Sequence, residues 1–135
     1  NLSAEVNAIA ESSEPGKHIL IVDDDKGTRA VVSAALRRAG FAVTEAKDGK
    51  DALEKLIDAL PDAVVCDLDM PGIGGKDFLV QVRGDERTAE LPVIMLTGWD
   101  TEEQELSLIQ SGASDFVSKS ASPAVVVARI RRLVE

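Results

Sequence analysis

Short apolar runs alternate with segments of helical spacing along most of the chain. Continuous apolar runs, typical of strands buried on both faces, cover 19–22, 63–66 and 92–96. Two further segments are also predicted as strands, a half-exposed one at 41–44 and a shorter one at 115–119. Apolar residues at helical spacing predict helices over 30–39, 50–60, 76–83, 102–110 and 124–134.

Five strands that alternate with five helices predict an α/β fold. Strands that are apolar throughout and joined by helices indicate a parallel sheet covered on both faces. Right-handed crossovers leave few arrangements for five such units. We therefore predict a flavodoxin-like doubly wound (βα)5 fold with strand order 2-1-3-4-5 and the more polar second strand at an edge.

Local signals mark where several helices begin and end. Gly40 and Gly112 are predicted to close the helices that precede them, because glycine tolerates the left-handed backbone of a helix C-terminus. Pro61 stops the second helix. Ser122 and Pro123 form a strong helix start, with serine as the N-cap and proline at the first helical position.

The first 16 residues differ from the rest of the chain. They end in a polar, turn-prone stretch over 11–16, so 1–16 is predicted to be a linker or the end of an upstream segment. The sequence opens with Asn1 and not Met, which we interpret as a processed piece of a longer protein. One domain is expected over 17–135.

Composition narrows the class of protein. The 135 residues are 44% apolar, with 24 acids against 15 bases and a net charge of −9, which argues against binding nucleic acid or an anionic membrane through the overall field. No apolar run is long enough for a membrane helix. A single cysteine, Cys66, fits a reducing compartment. A soluble, cytoplasmic protein is expected.

Chemically active side chains stand at the carboxyl ends of four predicted strands, where open parallel sheets bind ligands. They are Asp23, Asp24 and Asp25 after the first strand, Asp67 and Asp69 at the third, Thr97 at the fourth and Lys119 at the fifth. Crowded carboxylates require a compensating cation, and Mg²⁺ prefers such oxygen ligands. With a lysine and a threonine nearby, they suit phosphoryl transfer, in which a carboxylate can be the nucleophile. These residues do not by themselves show which aspartate would be attacked.

Four motifs in this order resemble the receiver domain of two-component response regulators over 17–135. They are Ile-Leu-Ile-Val-Asp-Asp-Asp over 19–25, Val-Cys-Asp-Leu-Asp-Met-Pro-Gly over 65–72, Met-Leu-Thr-Gly over 95–98 and Gly-Ala-Ser-Asp-Phe-Val-Ser-Lys over 112–119. The resemblance implies a signalling switch, not a conventional enzyme, although such a domain assists its own phosphorylation and dephosphorylation.

The same resemblance implies how the acids are used. Asp67 would be the phosphoacceptor, fed by a phosphohistidine on a histidine kinase or a histidine phosphotransfer protein. Mg²⁺ (or Mn²⁺) would be bound by Asp24 directly, by Asp67, by the backbone carbonyl of Asp69 and by Asp23, often through water.

The resemblance also implies roles for three further residues. Lys119 would pair with the phosphoryl group, and Thr97 would turn its hydroxyl toward it. Phe116 would follow Thr97 inward and reshape the surface of the fourth helix, fifth strand and fifth helix. An output domain, a partner protein or a second copy of the chain would bind that surface, with no direct contact to nucleic acid or membrane.

The chain departs from the family's usual pattern after the site lysine. Proline, often with a cis bond, is usual there, and this chain has Ser120. A cis bond without proline costs about 3–4 kcal/mol, so the loop is expected to be either trans or strained. Asp69 and Trp99 occupy positions that tune dephosphorylation in the family.

Other residues receive plainer interpretations. Asp25 is expected to be a helix cap or a solvated acid. His18 lies about 16 Å from Asp23 at a strand rise of about 3.3 Å per residue, so a phosphodonor must be external. The glycines of 72–76 are interpreted as a turn, because they lack the spacing of a phosphate-binding loop.

Two alternatives from other classes are open. Asp67 and Asp69 after an apolar strand match the paired aspartates of haloacid-dehalogenase-type phosphatases, although Pro71 stands where that motif has Thr or Val, and the third strand carries it where the first should. A receiver-like interaction module that no longer accepts phosphate is the second alternative. Such a module is expected to have lost Asp67, a metal-binding acid or Lys119, and this chain retains them all.

Overall fold

The computed structural model describes residues 17–98 and 101–135. The strands are β1 (His18–Val22), β2 (Ala42–Ala46), β3 (Ala63–Asp67), β4 (Val93–Thr97) and β5 (Asp115–Ser118). The helices are α1 (Lys26–Arg38), α2 (Gly49–Asp58), α3 (Gly75–Gly84), α4 (Glu102–Gln110) and α5 (Pro123–Val134). Strands and helices alternate as the sequence pattern predicts.

The five strands form one parallel sheet in the order β2-β1-β3-β4-β5. This confirms the predicted doubly wound fold and places the polar second strand at an edge. The register pairs Val22 with Cys66 and Asp67 with Leu96. The acids that follow β1 and close β3 therefore lie at the same level of the sheet, at the point where the strand order reverses.

A separate apolar core lies on each face of the sheet. On one face, alternate residues of β1 such as Ile19 and Ile21 pack with Leu36 of α1 and Ile130 of α5. On the other, Leu20 and Val22 pack with residues of the remaining helices, among them Leu56 of α2, Phe78 of α3 and Leu108 of α4. Since side chains alternate between faces along a strand, a β1 buried on both faces must be continuously apolar.

Most predicted boundaries differ from the observed ones by one residue or not at all, and three differences have a clear local cause. α1 begins at Lys26 and not at residue 30, because its first turn is polar and is fixed by a side-chain cap. β2 begins after Phe41, which is buried and donates its amide to Leu36 O. α2 ends at Asp58, two residues before Leu60, because Ala59 is already extended.

The predicted helix-end signals are mostly confirmed. Gly40 and Gly112 follow α1 and α4 with φ angles of 100° and 99°, a region that favours glycine. Pro123 opens α5 as predicted. Ser122 occupies the N-cap position, but its side chain makes no capping hydrogen bond, so the position was predicted correctly and the capping contact was not.

Two predictions concern residues beyond the described ranges. The linker over 1–16 and the role of Trp99 lie outside the residues that the structure describes. Within the described ranges, every helix is too short or too polar to cross a membrane.

Candidate functional site

Three carboxylates meet beyond the ends of β1 and β3. One oxygen from each of Asp23, Asp24 and Asp67 lies within 4.8 Å of the others. Asp67 and Asp23 are 0% and 1% exposed, respectively, whereas Asp24 is exposed to solvent. The cluster is therefore buried on the side of Asp23 and Asp67 and open to solvent on the side of Asp24.

Asp67 uses its two oxygens differently. Oδ1 accepts from the Lys119 ammonium at 2.6 Å and from the Asp69 backbone amide at 3.1 Å. Oδ2 is buried and has no hydrogen-bond partner in the part of the chain that the structure describes. Because burying an unpartnered carboxylate oxygen is costly, Oδ2 is the atom best placed to bind an added cation or electrophile.

Asp23 is fixed through its main chain and one oxygen. Its amide donates to Ala46 O at 3.1 Å, and its Oδ1 accepts from the Asp25 amide at 2.9 Å. Its Oδ2, like that of Asp67, is buried without a hydrogen-bond partner among the described residues. Two oxygens of the cluster are therefore open to a ligand.

Burial dominates the electrostatics of the two inner acids. Desolvation raises the pKa of Asp67 to about 6, against the lowering effect of the Lys119 hydrogen bond and with a further rise from the charge of Asp23. Desolvation likewise raises the pKa of Asp23, and the Asp25 amide opposes this effect. Burial alone would lower the pKa of Lys119, but its hydrogen bond to Asp67 and the surrounding acids outweigh burial and raise it.

The predicted switch residues lie on neighbouring strands. Thr97 ends β4 and is 4% exposed, and its carbonyl accepts from the Lys119 amide at 2.8 Å. Phe116 pairs with Met95 across β4 and β5. The ring of Phe116 is half-buried and packs against the core shared by α2, α3 and α4.

The loop after Lys119 tolerates serine where the family has proline. All peptide bonds in the described ranges are trans, and the Ser120 amide donates to Ser118 Oγ at 3.2 Å. The Lys119 ammonium contacts the Asp67 carboxylate even though the loop is trans. The contact between the two charges therefore does not require a cis bond.

Three further residues, Asp25, His18 and Cys66, have contacts that fit structural roles. Asp25 caps α1, where its carboxylate accepts from the Gly27 amide and the Thr28 hydroxyl. His18 opens β1, at the opposite end from the acids, and lies 2.6 Å from the Thr44 hydroxyl. Cys66 is buried, and desolvation raises the pKa of its thiol, so an inert core role fits it.

Two residues near the acids were not predicted from the sequence. A Cβ on Gly75, the first residue of α3, would lie 2.7 Å from Leu68 Cα and also meet the Asp67 carbonyl. Arg29 of α1 donates from Nη1 to the Asp23 carbonyl at 2.7 Å. The three glycines at 72, 74 and 75 could have indicated that the start of α3 lies close to the backbone after β3. The contact of Arg29 gives no such signal, because it depends on how α1 packs.

The donor set fits a hard divalent cation. Carboxylate oxygens are the ligands that Mg²⁺ prefers, and Mg²⁺ commonly uses one or two carboxylates and retains water. Asp23, Asp24 and Asp67 carry three negative charges against one positive charge on Lys119, so a divalent cation would balance the cluster. The open side at Asp24 leaves space for the water ligands and for a phosphate.

The sequence comparisons identify the family. The sequence model described as "Response regulator receiver domain" matches residues 19–131. The chain belongs to the response regulator receiver domain family. Receiver domains are the phosphoacceptor switches of two-component systems. In this chain the acid cluster lies at the carboxyl ends of β1 and β3.

Curated relatives include both short and long proteins. The receiver is 39% identical to the chemotaxis protein CheY of Pseudomonas aeruginosa over 118 residues, 87% of this chain and 95% of CheY. It is 34% identical to the phosphate regulon transcriptional regulatory protein PhoB of the same species over 119 residues, 88% of this chain and 52% of PhoB. The chain thus spans about half the length of PhoB.

Solved structures show the same fold. The Vibrio cholerae chemotaxis protein CheY4 matches with a TM-score of 0.83 and 30% identity, over 87% of this chain and 98% of CheY4. The receiver domain of a signal transduction histidine kinase from Syntrophus aciditrophicus matches with a TM-score of 0.82 and 25% identity, over 88% of this chain and 90% of that domain.

These findings decide between the functional alternatives. The family match and the relatives named above support a phosphoacceptor switch and give no support to a haloacid-dehalogenase-type phosphatase. Asp67 ends the third strand of the receiver sheet and Asp69 follows it, which is the place of the phosphoacceptor motif in the sequence resemblance.

Proposed function

We propose that Asp67 is the phosphoacceptor and that it receives its phosphoryl group from a phosphohistidine. The observation that supports this assignment is that its two carboxylate oxygens differ in their hydrogen-bond partners. Lys119 and the Asp69 amide hold Oδ1, and Oδ2 is buried without a hydrogen-bond partner in the described ranges. The carboxylate is therefore fixed in orientation while one oxygen is available to attack phosphorus.

The transfer balances without any further reactant. As an Asp67 oxygen forms its bond to phosphorus, the bond between phosphorus and the histidine nitrogen breaks, and the nitrogen keeps the electron pair. The Lys119 ammonium already lies beside the reacting carboxylate and pairs with the added negative charge. Dephosphorylation is a separate hydrolysis, in which water attacks phosphorus, the bond between phosphorus and the Asp67 oxygen breaks, and phosphate leaves as the Asp67 carboxylate is restored.

Magnesium, or manganese in its place, is the proposed cofactor. Asp24 and Asp67 would bind the ion directly, Asp23 through water, and the backbone carbonyl of Asp69 would complete the protein's ligands. The bound ion supplies charge neutralisation for the transferred phosphoryl group. The buried Asp23 Oδ2, which has no hydrogen-bond partner among the described residues, and the 4.8 Å spacing of the three carboxylates support this assignment.

Thr97 and Phe116 are proposed to convert phosphorylation into a change of surface. Thr97 lies at the end of the strand next to Asp67, and its hydroxyl would turn toward the phosphoryl group. Phe116, on the adjoining strand, would then move further inward. The Phe116 ring is half-buried, which supports a side chain that can turn either toward the core or toward solvent.

The surface of α4, β5 and α5 is the proposed output surface. Leu106 and Ile109 on α4 are 51% and 56% exposed, which suits binding of an output domain, a partner or a second copy of the chain. In the single chain, Arg129 of α5 pairs with Asp115 at 3.2 Å. A dimer in which Arg129 instead pairs with the α4 acids of a second copy, Glu102, Glu103 or Glu105, would require this pair to rearrange.

The donor is proposed to be a histidine kinase or histidine phosphotransfer protein in the cytoplasm. The likeness to PhoB and CheY, named as a regulatory and a chemotaxis protein, and to a receiver domain of a histidine kinase supports a signalling role. The receiver would assist its own phosphorylation and dephosphorylation and would not turn over an external metabolite.

Intact mass spectrometry after incubation with a small phosphodonor tests the assignment. Acetyl phosphate or phosphoramidate with Mg²⁺ should add one phosphoryl group to the wild-type protein, and Asp67→Asn should abolish the addition. Asp77→Asn, on the exposed side of α3, is the matched control and should be phosphorylated normally. Equal phosphorylation of Asp67→Asn, or sustained turnover of ordinary phosphomonoesters, would refute the proposal.

A further inference from the structure

Arg29 joins three parts of the molecule around the acid cluster. Its Nη1 donates to the Asp23 carbonyl at 2.7 Å, and its Nε donates to Glu45 Oε1 of β2 at 3.1 Å. Its side chain is only 16% exposed. One planar guanidinium thus links α1, the acidic loop after β1 and the edge strand.

These contacts complete the restraint of Asp23. The Asp23 amide is held by Ala46 O at the end of β2, and the Asp23 carbonyl is held by Arg29. The peptide groups on both sides of the Asp23 Cα are therefore fixed. Since Asp24 follows directly, the same restraint sets the direction from which both acids approach a ligand.

Glu45 offsets the charge that Arg29 brings. The pair lies near a proposed cation site, where an uncompensated guanidinium would repel a divalent ion. Glu45 Oε1 accepts from Arg29, and its Oε2 lies 3.6 Å from Arg37 Nη2. Glu45 therefore offsets the charge of one arginine, so Arg29 can orient the acids with less repulsion of the metal.

We infer that Arg29 is a positioning residue for magnesium binding, which acts through the Asp23 backbone and is itself oriented and electrically balanced by Glu45. This inference rests on the proposed Mg²⁺ site. Arg29 contacts neither the reacting oxygens of Asp67 nor Lys119 in this role. Partners of metal ligands commonly change metal affinity 10–100-fold when they are removed.

The role requires the fork of an arginine. Nε and Nη1 serve two acceptors at once, in a fixed planar geometry. A lysine keeps the positive charge but cannot reproduce this pair of contacts. The Arg29→Lys variant is therefore expected to behave like Arg29→Ala in metal binding, although its net charge is that of the wild type.

Titration with Mg²⁺ alone, followed by calorimetry or by two-dimensional amide NMR spectra, tests the inference. Arg29→Ala and Arg29→Lys should raise the Kd for Mg²⁺ by about tenfold or more. Glu45→Gln retains an acceptor for Nε but loses the balancing charge. It should raise the Kd by a smaller factor, and added salt should reduce that factor. Arg38→Ala, at the exposed far end of α1, should bind as the wild type.

The dependence of phosphorylation on Mg²⁺ separates positioning from a general structural defect. For Arg29→Ala, the Mg²⁺ concentration that gives half the maximal rate should rise in parallel with the Kd. The rate at saturating Mg²⁺ should stay within about twofold of the wild type, because Arg29 acts through metal affinity. Circular dichroism and urea unfolding establish that each variant is folded at the assay temperature, and Arg29→Lys serves if Arg29→Ala does not fold.

Three outcomes would overturn the inference. They are an unchanged Kd in Arg29→Ala, wild-type affinity in Arg29→Lys, or a fall in the saturating rate without a change in Kd. Failure of the wild-type receiver to bind Mg²⁺ would instead refute the proposed metal site, so the two failures are distinguishable.

Discussion

At the scale of single residues, Asp67 combines burial with an incomplete set of hydrogen bonds. It is 0% exposed, and only one of its oxygens has partners within the described chain. Its pKa is raised to about 6 because desolvation outweighs the Lys119 contact. The proposed phosphoacceptor therefore destabilises the metal-free fold whenever it is ionised.

Asp67→Asn should stabilise the metal-free protein at pH 7. An acid with a raised pKa binds its proton more tightly in the folded state, so stability falls as the pH rises from about 4 to about 6. Removing this acid should add on the order of 2–3 kcal/mol to the free energy of unfolding at pH 7. The gain should shrink as the pH falls and vanish below about pH 3, where Asp67 is protonated in both the folded and the unfolded state.

Urea unfolding in the presence of a chelator, at several pH values, measures this gain. Asp77→Asn is the matched control for loss of one acid at the surface. A gain that is the same at pH 4 and pH 7 would show that ionisation of Asp67 is not its cause.

At the scale of elements, the beginning of α3 sets how closely a helix approaches the phosphoacceptor strand. The Gly75 amide donates to Leu68 O at 3.0 Å, and a Cβ at Gly75 would collide with the main chain of Asp67 and Leu68. The glycine therefore permits packing of α3 directly beneath the site, which a side chain would push outward.

Gly75→Ala should destabilise the receiver by about 1–3 kcal/mol, the usual range for overpacking a filled site. It should also slow phosphorylation, because the Asp67 backbone must shift. Gly84→Ala at the other end of α3 is the matched control, since a Cβ there meets nothing within 4 Å. Urea unfolding and intact-mass kinetics measure the two effects. Equal stability of the two variants would contradict the close contact.

Arg83 of α3 secures the turn between α4 and β5. Its Nε donates to Gly112 O at 2.8 Å, and its Nη1 donates to Leu91 O at 2.7 Å. Arg83→Met should lower the free energy of unfolding by about 1–3 kcal/mol, because carbonyls are left without a donor. Arg132→Met, on the exposed side of α5, should change it by less than about 0.5 kcal/mol in the same urea titration.

The sequence alone was sufficient to predict the strands and the side chains at their ends. Continuous apolar runs such as 63–66 stop at an acid, so the length of each buried strand also determines where its polar side chain emerges. The order 2-1-3-4-5 then places Asp23 and Asp67 side by side. The predicted range of β2, 41–44, differs from the observed Ala42–Ala46. A half-exposed strand of alternating polar and apolar residues gives a weaker signal of where it begins and ends.

Features that depend on three-dimensional packing could not be predicted in this way. Arg29 belongs to a helical segment of ordinary composition, and only the position of α1 against β2 brings it to Asp23 and Glu45. Likewise, the conformations of Lys119 and Asp69 determine that Asp67 Oδ1 has hydrogen-bond partners while Oδ2 has none among the described residues. Helix boundaries at Lys26 and Asp58 were set by local caps and backbone geometry.

At the scale of the whole molecule, the net charge of −9 divides into two parts. Three of the acids form the cluster at the site, which Lys119 and a divalent ion would bring to about zero. The others are distributed over helices, strand ends and loops, and over residues outside the described ranges. The acid excess is therefore partly a property of the site and only partly a property of the surface.

Mg²⁺ should stabilise the receiver beyond any general effect of salt. At a concentration of 100 times its Kd, a ligand that binds only the folded state adds about 2.7 kcal/mol to the free energy of unfolding. Thermal or urea unfolding in MgCl2, compared with NaCl of equal ionic strength, measures this term. Asp24→Asn should remove most of it, and an equal response to the two salts would refute a specific site.

The hydrogen bonds that continue the sheet past its strands restrict how this molecule can signal. The Leu68 amide donates to Leu96 O at 2.9 Å, and the Lys119 amide donates to Thr97 O at 2.8 Å. Moving any one of these strand ends would break a backbone hydrogen bond to the neighbouring strand, which costs free energy. Phosphorylation should therefore leave amide hydrogen exchange at Leu68 and Lys119 nearly unchanged, and we expect the signal to travel as side-chain rotation between fixed strands.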